Sequence, residues 1–303
     1  MITPPELCAG DKVAVLSPAG FTTIEKNVPG IALLESWGLV PVPGKHMYHR
    51  SGIFAGEDKE RLSDLAEALE NPEIKAIFSS RGGYGSMRLL PELSRIVPSH
   101  PKWVTGFSDI TALHVFLGKE WQWKSIHGPI ISAYKPNNPF SESSFDALRR
   151  ILFGMETLCR FSVDPLDRPE NVSGEMIGGN LSVLYSMRGT PYDMDPAGKI
   201  LFIEDVGEFD YHLDRMLTNF RQGGIFSRLR GLVIGDFSEI KEGNHPFGKS
   251  LPEIVHEAIS DTRFPVFFGF PSGHGDQNHP VILGAKGIFE VTGTAVSFRQ
   301  EGN

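Results

Sequence analysis

The chain has only two cysteines among its 303 residues, Cys8 and Cys159, and they lie far apart in the sequence. Two isolated cysteines argue against a disulfide framework, and their spacing is not typical of a structural metal site. We expect both side chains to be ordinary buried thiols.

The chain also lacks long hydrophobic runs and clusters of basic residues. No stretch approaches the roughly 20 apolar residues that span a bilayer, and residues 1–6 have neither the basic nor the apolar region of a secretion signal. The net charge is −8 at pH 7, which argues against nucleic acid or an anionic membrane as a partner. These absences predict a cytoplasmic globular protein with a small substrate, no nucleic-acid partner and no membrane contact.

The first half of the chain alternates apolar runs with helix-like stretches. Strands are predicted at 12–20, 39–42, 74–78 and 103–107, and helices at 24–37, at 58–69 and after Gly85. Short links between such elements predict a parallel α/β sheet that is covered by helices.

The pattern changes in residues 136–173, which are rich in Pro, Asn, Ser and Asp around one helix at 141–152. We interpret this segment as the crossing between an N-terminal domain, residues 1–135, and a C-terminal domain, residues 174–303. A chain of this length favours two domains with a cleft between them. In the second half, strands are predicted at 199–203, 232–234 and 287–291, with helices through Leu184 and at 211–220.

Ser108 follows an apolar strand in the segment Gly106-Phe107-Ser108-Asp109 and precedes a helix-like stretch. A serine on a tight strand-to-helix turn can present its hydroxyl as a nucleophile, and the helix amides can stabilise negative charge. Taken alone, the segment favours a helix N-cap, because the second glycine of the usual Gly-x-Ser-x-Gly elbow is absent.

A glycine-rich loop, Ser80-Arg81-Gly82-Gly83-Tyr84-Gly85, follows the preceding strand. Its glycines let backbone amides approach an anion closely. The loop matches neither of the common nucleotide-phosphate motifs, so we interpret it as an anion or oxyanion site.

A nucleophilic serine requires a base and an acceptor that orients the base. His274 lies in a loop of small residues after an apolar run, and Glu204 comes directly after the apolar strand 199–203. Glu208 is the alternative acid, with capping of the next helix as its other role. His279 and Asp276 are close to His274 in sequence, but their spacing fits no standard metal-ligand pattern.

In these residues the chain resembles the LD-carboxypeptidase family of serine peptidases, also called the muramoyltetrapeptide carboxypeptidases (peptidase family S66), which includes microcin immunity peptidases. The resemblance extends over both halves. The segments that carry it are Ser17-Pro18-Ala19, Arg81-Gly82-Gly83-Tyr84-Gly85, Gly106-Phe107-Ser108-Asp109-Ile110-Thr111, Gly178-Gly179-Asn180-Leu181, Phe202-Ile203-Glu204-Asp205 and Gly273-His274.

The resemblance implies a flavodoxin- or Rossmann-like parallel N-terminal domain and a strand-rich mixed α/β C-terminal domain of the swivelling type. It implies Ser108 as nucleophile, His274 as general base and acid, and Glu204 as the acceptor that orients the imidazole. The implied enzyme removes the terminal D-Ala from murein tetrapeptides during cytoplasmic cell-wall recycling, uses no cofactor or metal, and forms a homodimer.

The resemblance further implies an oxyanion hole built from amides of Gly82 or Gly83 and of Asp109. Arg81 and Tyr84 resemble the carboxypeptidase branch of the family, and we expect them to contact substrate. For Arg81 we expect a bidentate contact with the substrate carboxylate, with a structural salt bridge as the alternative.

Two other functions remain open at this point. The first is an immunity-type peptidase that cleaves a peptidyl-nucleotide antibiotic with the same three residues. The second is a non-catalytic binding protein whose two lobes close on an anionic ligand, with Ser108 as a helix-terminal contact.

Overall fold

The fold is known from a computed structural model that describes residues 1–164, 167–243 and 245–300. Pro165 and Leu166 of the predicted crossing segment lie outside the described residues. So do Asn244 and residues 301–303 of the predicted C-terminal domain.

The described residues contain thirteen strands and eight α-helices. The strands are β1 (Lys12–Leu16), β2 (Val40–Pro43), β3 (Ile74–Ser79), β4 (Trp103–Gly106), β5 (Ser125–His127), β6 (Cys159–Ser162), β7 (Val172–Asn180), β8 (Ile200–Val206), β9 (Gly231–Ser238), β10 (Val266–Phe267), β11 (Val281–Leu283), β12 (Lys286–Thr292) and β13 (Ala295–Gln300). The helices are α1 (Ile24–Ser36), α2 (Asp58–Glu70), α3 (Leu90–Leu93), α4 (Thr111–Phe116), α5 (Pro139–Leu152), α6 (Leu181–Ser186), α7 (Asp210–Gln222) and α8 (Leu251–Ala258).

The first sheet has the strand order β11-β5-β4-β3-β1-β2, and its strands β1 to β5 are parallel. Without β11, this is the order of flavodoxin-like folds, in which ligands bind at the carboxyl ends of the strands where the order reverses. That point lies between β1 and β3. The predicted parallel N-terminal sheet is therefore confirmed, and the glycine-rich loop follows β3 at the edge where such folds bind ligands.

The second sheet has the order β10-β9-β8-β7-β12-β13-β6. Strands β7 to β10 are parallel, whereas β12, β13 and β6 pair antiparallel, so the sheet is mixed as expected for the C-terminal half. Two strands depart from a division of the chain into one sheet for each predicted domain. β6 joins this sheet from the crossing segment, and β11 leaves it to pair antiparallel with β5 of the first sheet.

Both faces of the first sheet are buried because helices cover each of them. On β1, Ala14 and Leu16 pack into a core with helices α2 and α4, whereas Val13 and Val15 pack on the other side with α1 and α5. This alternation explains why the strand is an unbroken apolar run. The second sheet is covered by α6, α7 and α8 on one face and packs a phenylalanine-rich core on the other.

Several local expectations were wrong or incomplete. Cys8 is exposed, since it lies in the turn before β1, whereas Cys159 is buried and its burial raises the pKa of the thiol to about 12. The helix after Gly85 is only a 3₁₀ turn, Ser86–Leu89, followed by the single turn of α3.

No helix in the described ranges has both the length and the apolar character needed to cross a membrane.

Candidate active site

Ser108 lies on a strained turn between β4 and α4. It opens a 3₁₀ turn, Ser108–Ile110, with a φ of 62°, a left-handed conformation that is costly for a residue with a side chain. The N-cap position belongs to Phe107, and Ser108 Oγ has no hydrogen-bond partner among the described residues. The serine is therefore not a helix cap. Its strained turn and unpaired hydroxyl are typical of a nucleophile elbow.

His114 holds the strand end just before this turn. Its Nε2 lies 2.9 Å from the carbonyl oxygen of Gly106, and its Nδ1 lies 2.9 Å from Ser125 Oγ. Because a carbonyl only accepts, Nε2 carries the proton and Nδ1 accepts from the serine hydroxyl. Burial lowers the pKa of His114 to about 4, so the ring remains neutral near pH 7. The local sequence did not predict this role of His114, because its two hydrogen-bond partners, Gly106 and Ser125, lie on two different strands.

The glycine-rich loop follows β3, which pairs directly with β4, and it lies against Ser108. A Cβ at Gly82 would lie 2.8 Å from Ser108 Cβ and 3.1 Å from its Oγ, so only glycine permits this approach. Within the described part of the chain, the amides of Gly82 and Gly83 donate no hydrogen bond. Unpaired amides next to a serine hydroxyl are suited to bind an oxyanion.

Asp109 joins the turn to the end of the same loop. Its Oδ2 accepts hydrogen bonds from the amide of Ser86 at 2.8 Å and from the hydroxyl of Ser86 at 2.6 Å. Burial raises the pKa of Asp109, although the bonds from Ser86 oppose this effect. The amide of Asp109 belongs to the first turn of a helix, where N–H groups have no partner within the helix.

Arg81 and Tyr84 extend the loop toward solvent. Arg81 Nη1 donates to the carbonyl oxygen of Phe21 at 2.7 Å, and the guanidinium lies 5.5 Å from the centre of the Phe21 ring. No acidic side chain in the described ranges forms an ion pair with Arg81, so the structural salt bridge is not observed. Tyr84 is 51% exposed, with its ring 5.7 Å from that of Phe54. The charge of Arg81 is thus available to an anionic ligand.

The imidazole of His274 is bound to a buried carboxylate. Its Nδ1 lies 2.6 Å from Oε2 of Glu204, whose side chain is fully buried, whereas the side chain of His274 is 17% exposed. Gly273 permits this contact, because its φ is 139° and a Cβ there would lie 3.1 Å from Glu204 Cβ. The carboxylate therefore fixes the ring so that Nε2 is the nitrogen left for chemistry.

Glu204 lies within β8, not directly after it as expected, because the strand continues to Val206. The pairing of β8 with β9 shifts register between Ile203 and Asp205, on either side of Glu204. A bulge of this kind redirects a side chain next to a functional site. Glu208 lies beyond the strand, and its Oε2 is 2.9 Å from Nδ1 of His212, so it does not pair with His274.

Opposing effects set the pKa of His274. Burial lowers it, but the hydrogen bond and charge of Glu204, together with the charges of Asp205 and Asp236, outweigh burial and raise the pKa above 6.5. A ring with a raised pKa accepts a proton readily, as a general base must.

The two halves of the chain meet at Gly179 and Asn180. The amide of Asn180 donates to Thr111 Oγ1 at 2.9 Å, and a Cβ at Gly179 would lie 2.5 Å from the same oxygen. In addition, the ring of Phe107 lies 4.6 Å from that of His274. The segment that carries Ser108 is therefore packed against the end of β7, where Asn180 pairs with Glu204 of β8, and against the ring of His274.

The other predicted neighbours of His274 have different surroundings. The ring of His279 packs against Phe270 and Phe298, with centroids 6.1 and 6.3 Å away, and its burial lowers the pKa to about 4. Among the described residues, no three His, Cys, Asp or Glu side chains converge in a way that would hold a metal ion.

Comparisons with known proteins match both halves of the chain. Residues 13–128 match the family model of the LD-carboxypeptidase N-terminal domain, and residues 173–288 match that of the LD-carboxypeptidase C-terminal domain. The chain is 33% identical to the probable murein peptide carboxypeptidase of Bacillus subtilis, over 93% of this chain and 90% of that protein. It is 32% identical to the murein tetrapeptide carboxypeptidase of Pseudomonas aeruginosa, over 92% and 93% of the two chains.

Solved structures extend the similarity to the fold. The muramoyltetrapeptide carboxypeptidase from Oxalobacter formigenes superposes with a TM-score of 0.84 at 28% identity, over 95% of this chain and 98% of that one. By sequence comparison, the chain is also 25% identical to a microcin self-immunity protein of Escherichia coli, over 97% of this chain and 95% of that protein.

Proposed function

This chain belongs to the LD-carboxypeptidase family, and we propose that it is a serine carboxypeptidase that removes the terminal D-Ala from murein tetrapeptides, without a metal or cofactor. The proposal rests above all on the 2.6 Å bond between His274 Nδ1 and the fully buried Glu204. The names of the relatives with more than 30% identity support a murein peptide as the substrate.

In the proposed reaction, Ser108 Oγ attacks the carbonyl carbon that joins the third residue to D-Ala. Nε2 of His274 takes the hydroxyl proton, and the resulting imidazolium is stabilised by Glu204. The amides of Gly82, Gly83 and Asp109 bind the negative oxygen of the tetrahedral intermediate. His274 then protonates the departing amine of D-Ala, and a water molecule hydrolyses the remaining ester by the same route.

Arg81 binds the terminal carboxylate in this proposal. Its guanidinium is held by the carbonyl of Phe21 and has no acidic partner among the described residues. A planar guanidinium can donate two parallel hydrogen bonds to a carboxylate. Recognition of a free carboxylate would restrict cleavage to the last peptide bond. Tyr84, largely exposed on the same loop, provides a second contact surface for the peptide.

The decisive experiment incubates a murein tetrapeptide with the wild-type protein and with Ser108→Ala, and follows the products by mass spectrometry. We expect loss of one D-Ala only with the wild type. Ser227→Ala is the matched control, because this exposed serine bonds only the carbonyl of Gly224. Cleavage by Ser108→Ala, or no cleavage by either protein, would contradict the proposal.

The same assay separates the alternatives. Turnover of a peptidyl sulfamoyl-adenylate in place of the tetrapeptide would indicate an immunity-type peptidase, and binding without turnover of either would indicate a binding protein. The homodimer and the cytoplasmic location implied by the resemblance belong to the same proposal. Light scattering after size-exclusion chromatography tests the first, and cell fractionation tests the second.

A further inference from the structure

Asn27 is a polar residue on the buried face of α1. It lies in the first turn of the helix, and the buried positions of that helix are Asn27, Gly30 and Leu34. Such positions are usually apolar, because they face the core. Asn27 is fully buried nonetheless, so its side-chain amide needs hydrogen-bond partners inside the protein.

The partners of this amide lie on two different loops. Its Nδ2 donates to Thr22 Oγ1 at 2.8 Å and to the carbonyl oxygen of Thr23 at 2.7 Å. Its Oδ1 accepts from the hydroxyl of Ser80 at 2.5 Å. Because a carbonyl can only accept, the contact with Thr23 fixes which end of the amide is Nδ2. Asn27 therefore connects the β1–α1 loop, residues 17–23, with the first residue of the glycine-rich loop.

Ser80 is held by its backbone as well. Its amide donates to the carbonyl oxygen of Leu16, at the end of β1, at 2.7 Å, and its carbonyl oxygen accepts from the amide of Ser132 at 3.1 Å. The residue is fully buried. Both backbone groups and the hydroxyl of Ser80 are thus bonded, two residues before Gly82.

The β1–α1 loop also holds the peptide bond that carries the amide of Gly83. The amide of Gly20 donates to the carbonyl oxygen of Gly82 at 2.9 Å, and a Cβ at Gly20 would lie 2.8 Å from that oxygen. The peptide bond between Gly82 and Gly83 is trans, and a trans peptide is planar with its N–H opposite its carbonyl. The N–H of Gly83 therefore points away from Gly20.

Two connections between the loops lie close together. The backbone bond joins them at Gly20 and Gly82, and the side chain of Asn27 joins them at Thr22 and Ser80. On each loop the two connected residues are only two positions apart. A second connection so near the first restricts the rotation of one loop against the other, and with it the direction of the glycine amides.

We infer that Asn27 is a positioning residue for the oxyanion site, acting through Ser80 and the β1–α1 loop on the amides of Gly82 and Gly83. The inference rests on the proposed function, since these amides bind the negative oxygen in the proposed reaction. Such donors stabilise a transition state only when they are aimed in advance at the position that the oxygen will occupy.

A buried amide–hydroxyl pair is suited to this role more than to stability. Replacing both partners of a buried hydrogen bond by apolar groups can be nearly neutral, whereas removal of one partner leaves the other unsatisfied and is costly. A fully bonded polar network, in contrast, specifies one arrangement of the groups around it. Stability and activity should therefore respond differently when Asn27 and Ser80 are both replaced.

The test compares Ser80→Ala with the double variant Asn27→Leu/Ser80→Ala. Ser80→Ala leaves Asn27 Oδ1 without its partner, so its urea midpoint should fall. The double variant should recover most of that loss. In both variants we expect kcat for a murein tetrapeptide to fall by about 10- to 100-fold with a smaller change in KM, because misdirected oxyanion donors weaken the transition state. Recovery of kcat together with the midpoint would overturn the inference.

A second measurement uses Ser80→Ala alone, so it does not depend on the folding of the double variant. A boronic acid analogue of the peptide forms a tetrahedral adduct with a nucleophilic serine and resembles the transition state. Its affinity should fall by the same factor as kcat/KM. The affinity of the intact tetrapeptide, measured in Ser108→Ala with and without Ser80→Ala, should stay the same. Equal losses in the two affinities would contradict the inference.

Thr262→Val is the matched control. It also removes a hydroxyl that donates to one carbonyl, that of Ile259 at 2.7 Å, but it lies after α8 in the other half of the chain. We expect its kcat and its affinity for the boronic acid to equal those of the wild type. A similar loss of kcat in Thr262→Val would show that any lost hydroxyl bond has this effect, and would reject the special role of Asn27.

Failure of the proposed function gives a different result. In that case the wild type releases no D-Ala, and positioning is tested by NMR relaxation of the Gly82 and Gly83 amides, which requires no turnover. Greater mobility of both glycines in Ser80→Ala and in the double variant, but not in Thr262→Val, supports the role of Asn27. Mobility equal to that of the wild type in both loop variants rejects it.

Discussion

The amide of Asn180, at the end of β7, donates a hydrogen bond to Thr111 Oγ1, the first residue of the helix that follows Ser108, at 2.9 Å. Both groups are buried, and they belong to different halves of the chain. This bond joins the helix that follows Ser108 to the end of β7, where Asn180 pairs with Glu204 of the neighbouring strand β8. The proposed reaction therefore requires a close contact between two backbone segments that are far apart in sequence.

Replacement of Gly179 by alanine should separate the two halves. Gly179 has a φ of 133°, and a Cβ there would lie 2.5 Å from Thr111 Oγ1. We expect kcat to fall by about 100-fold or more, because displacements near 1 Å can have that effect. Gly189→Ala is the control, since Gly189 also has a positive φ, 75°, but open space at its Cβ. Equal losses of activity in the two variants would show that backbone strain, not separation, is responsible.

The two glutamates should differ strongly when each is replaced by glutamine. Glu204→Gln leaves the shape of the side chain but removes the charge that bonds His274, so kcat should fall by about 10⁴-fold. Glu208→Gln is the matched control, because Glu208 bonds His212 instead, and its kcat should remain near that of the wild type. Steady-state kinetics on a murein tetrapeptide measures kcat for both variants. Equal, mild effects of the two changes would exclude Glu204 as the orienting acid.

The pH dependence of activity should follow the imidazole of His274. The base must be neutral, and the charges of Glu204, Asp205 and Asp236 outweigh burial and raise its pKa above 6.5. We therefore expect kcat/KM to rise with pH through a midpoint above 6.5. In NMR titrations of Ser108→Ala, the added change Glu204→Gln should lower the pKa of the imidazole. An unchanged midpoint in the double variant would contradict the pairing.

The same shift predicts a small effect on stability. The folded-state pKa of His274 is raised, so the protonated ring stabilises the folded protein. This contribution is fully present below the unfolded-state pKa and is lost as pH rises through the folded-state pKa. Urea unfolding of the wild type and of His274→Gln at several pH values measures this contribution. The free energy of unfolding of the wild type, relative to that of His274→Gln, should decrease as pH rises.

Removal of the Arg81 side chain should weaken substrate binding more than it slows chemistry. For Arg81→Ala we expect KM to rise by about 10- to 100-fold with a smaller change in kcat, because a charged hydrogen-bond partner of the carboxylate is lost. Arg95→Ala is the control, since Arg95 is an exposed arginine that pairs with Glu92. If KM for the tetrapeptide stays unchanged in Arg81→Ala, the carboxylate contact is wrong. For a peptide amidated at its C-terminus, Arg81→Ala should no longer raise KM, because that peptide has no terminal carboxylate.

Much of the fold was predictable because it is encoded locally. The apolar runs that became β1, β3 and β4, and the helical spacing over α2, predict their elements within a few residues. In contrast, β7, β5 and β11 were not predicted. They are short or glycine-rich, and they are strands only because neighbouring strands supply their hydrogen bonds.

The sequence by itself determined the parts of the candidate site: a serine on a strand-to-helix turn, a glycine-rich loop after the adjacent strand, and a histidine among small residues. Only the tertiary structure decided which parts meet. His274 and Glu204 are 70 residues apart, and the register between β8 and β9 shifts beside Glu204; no local pattern encodes either feature.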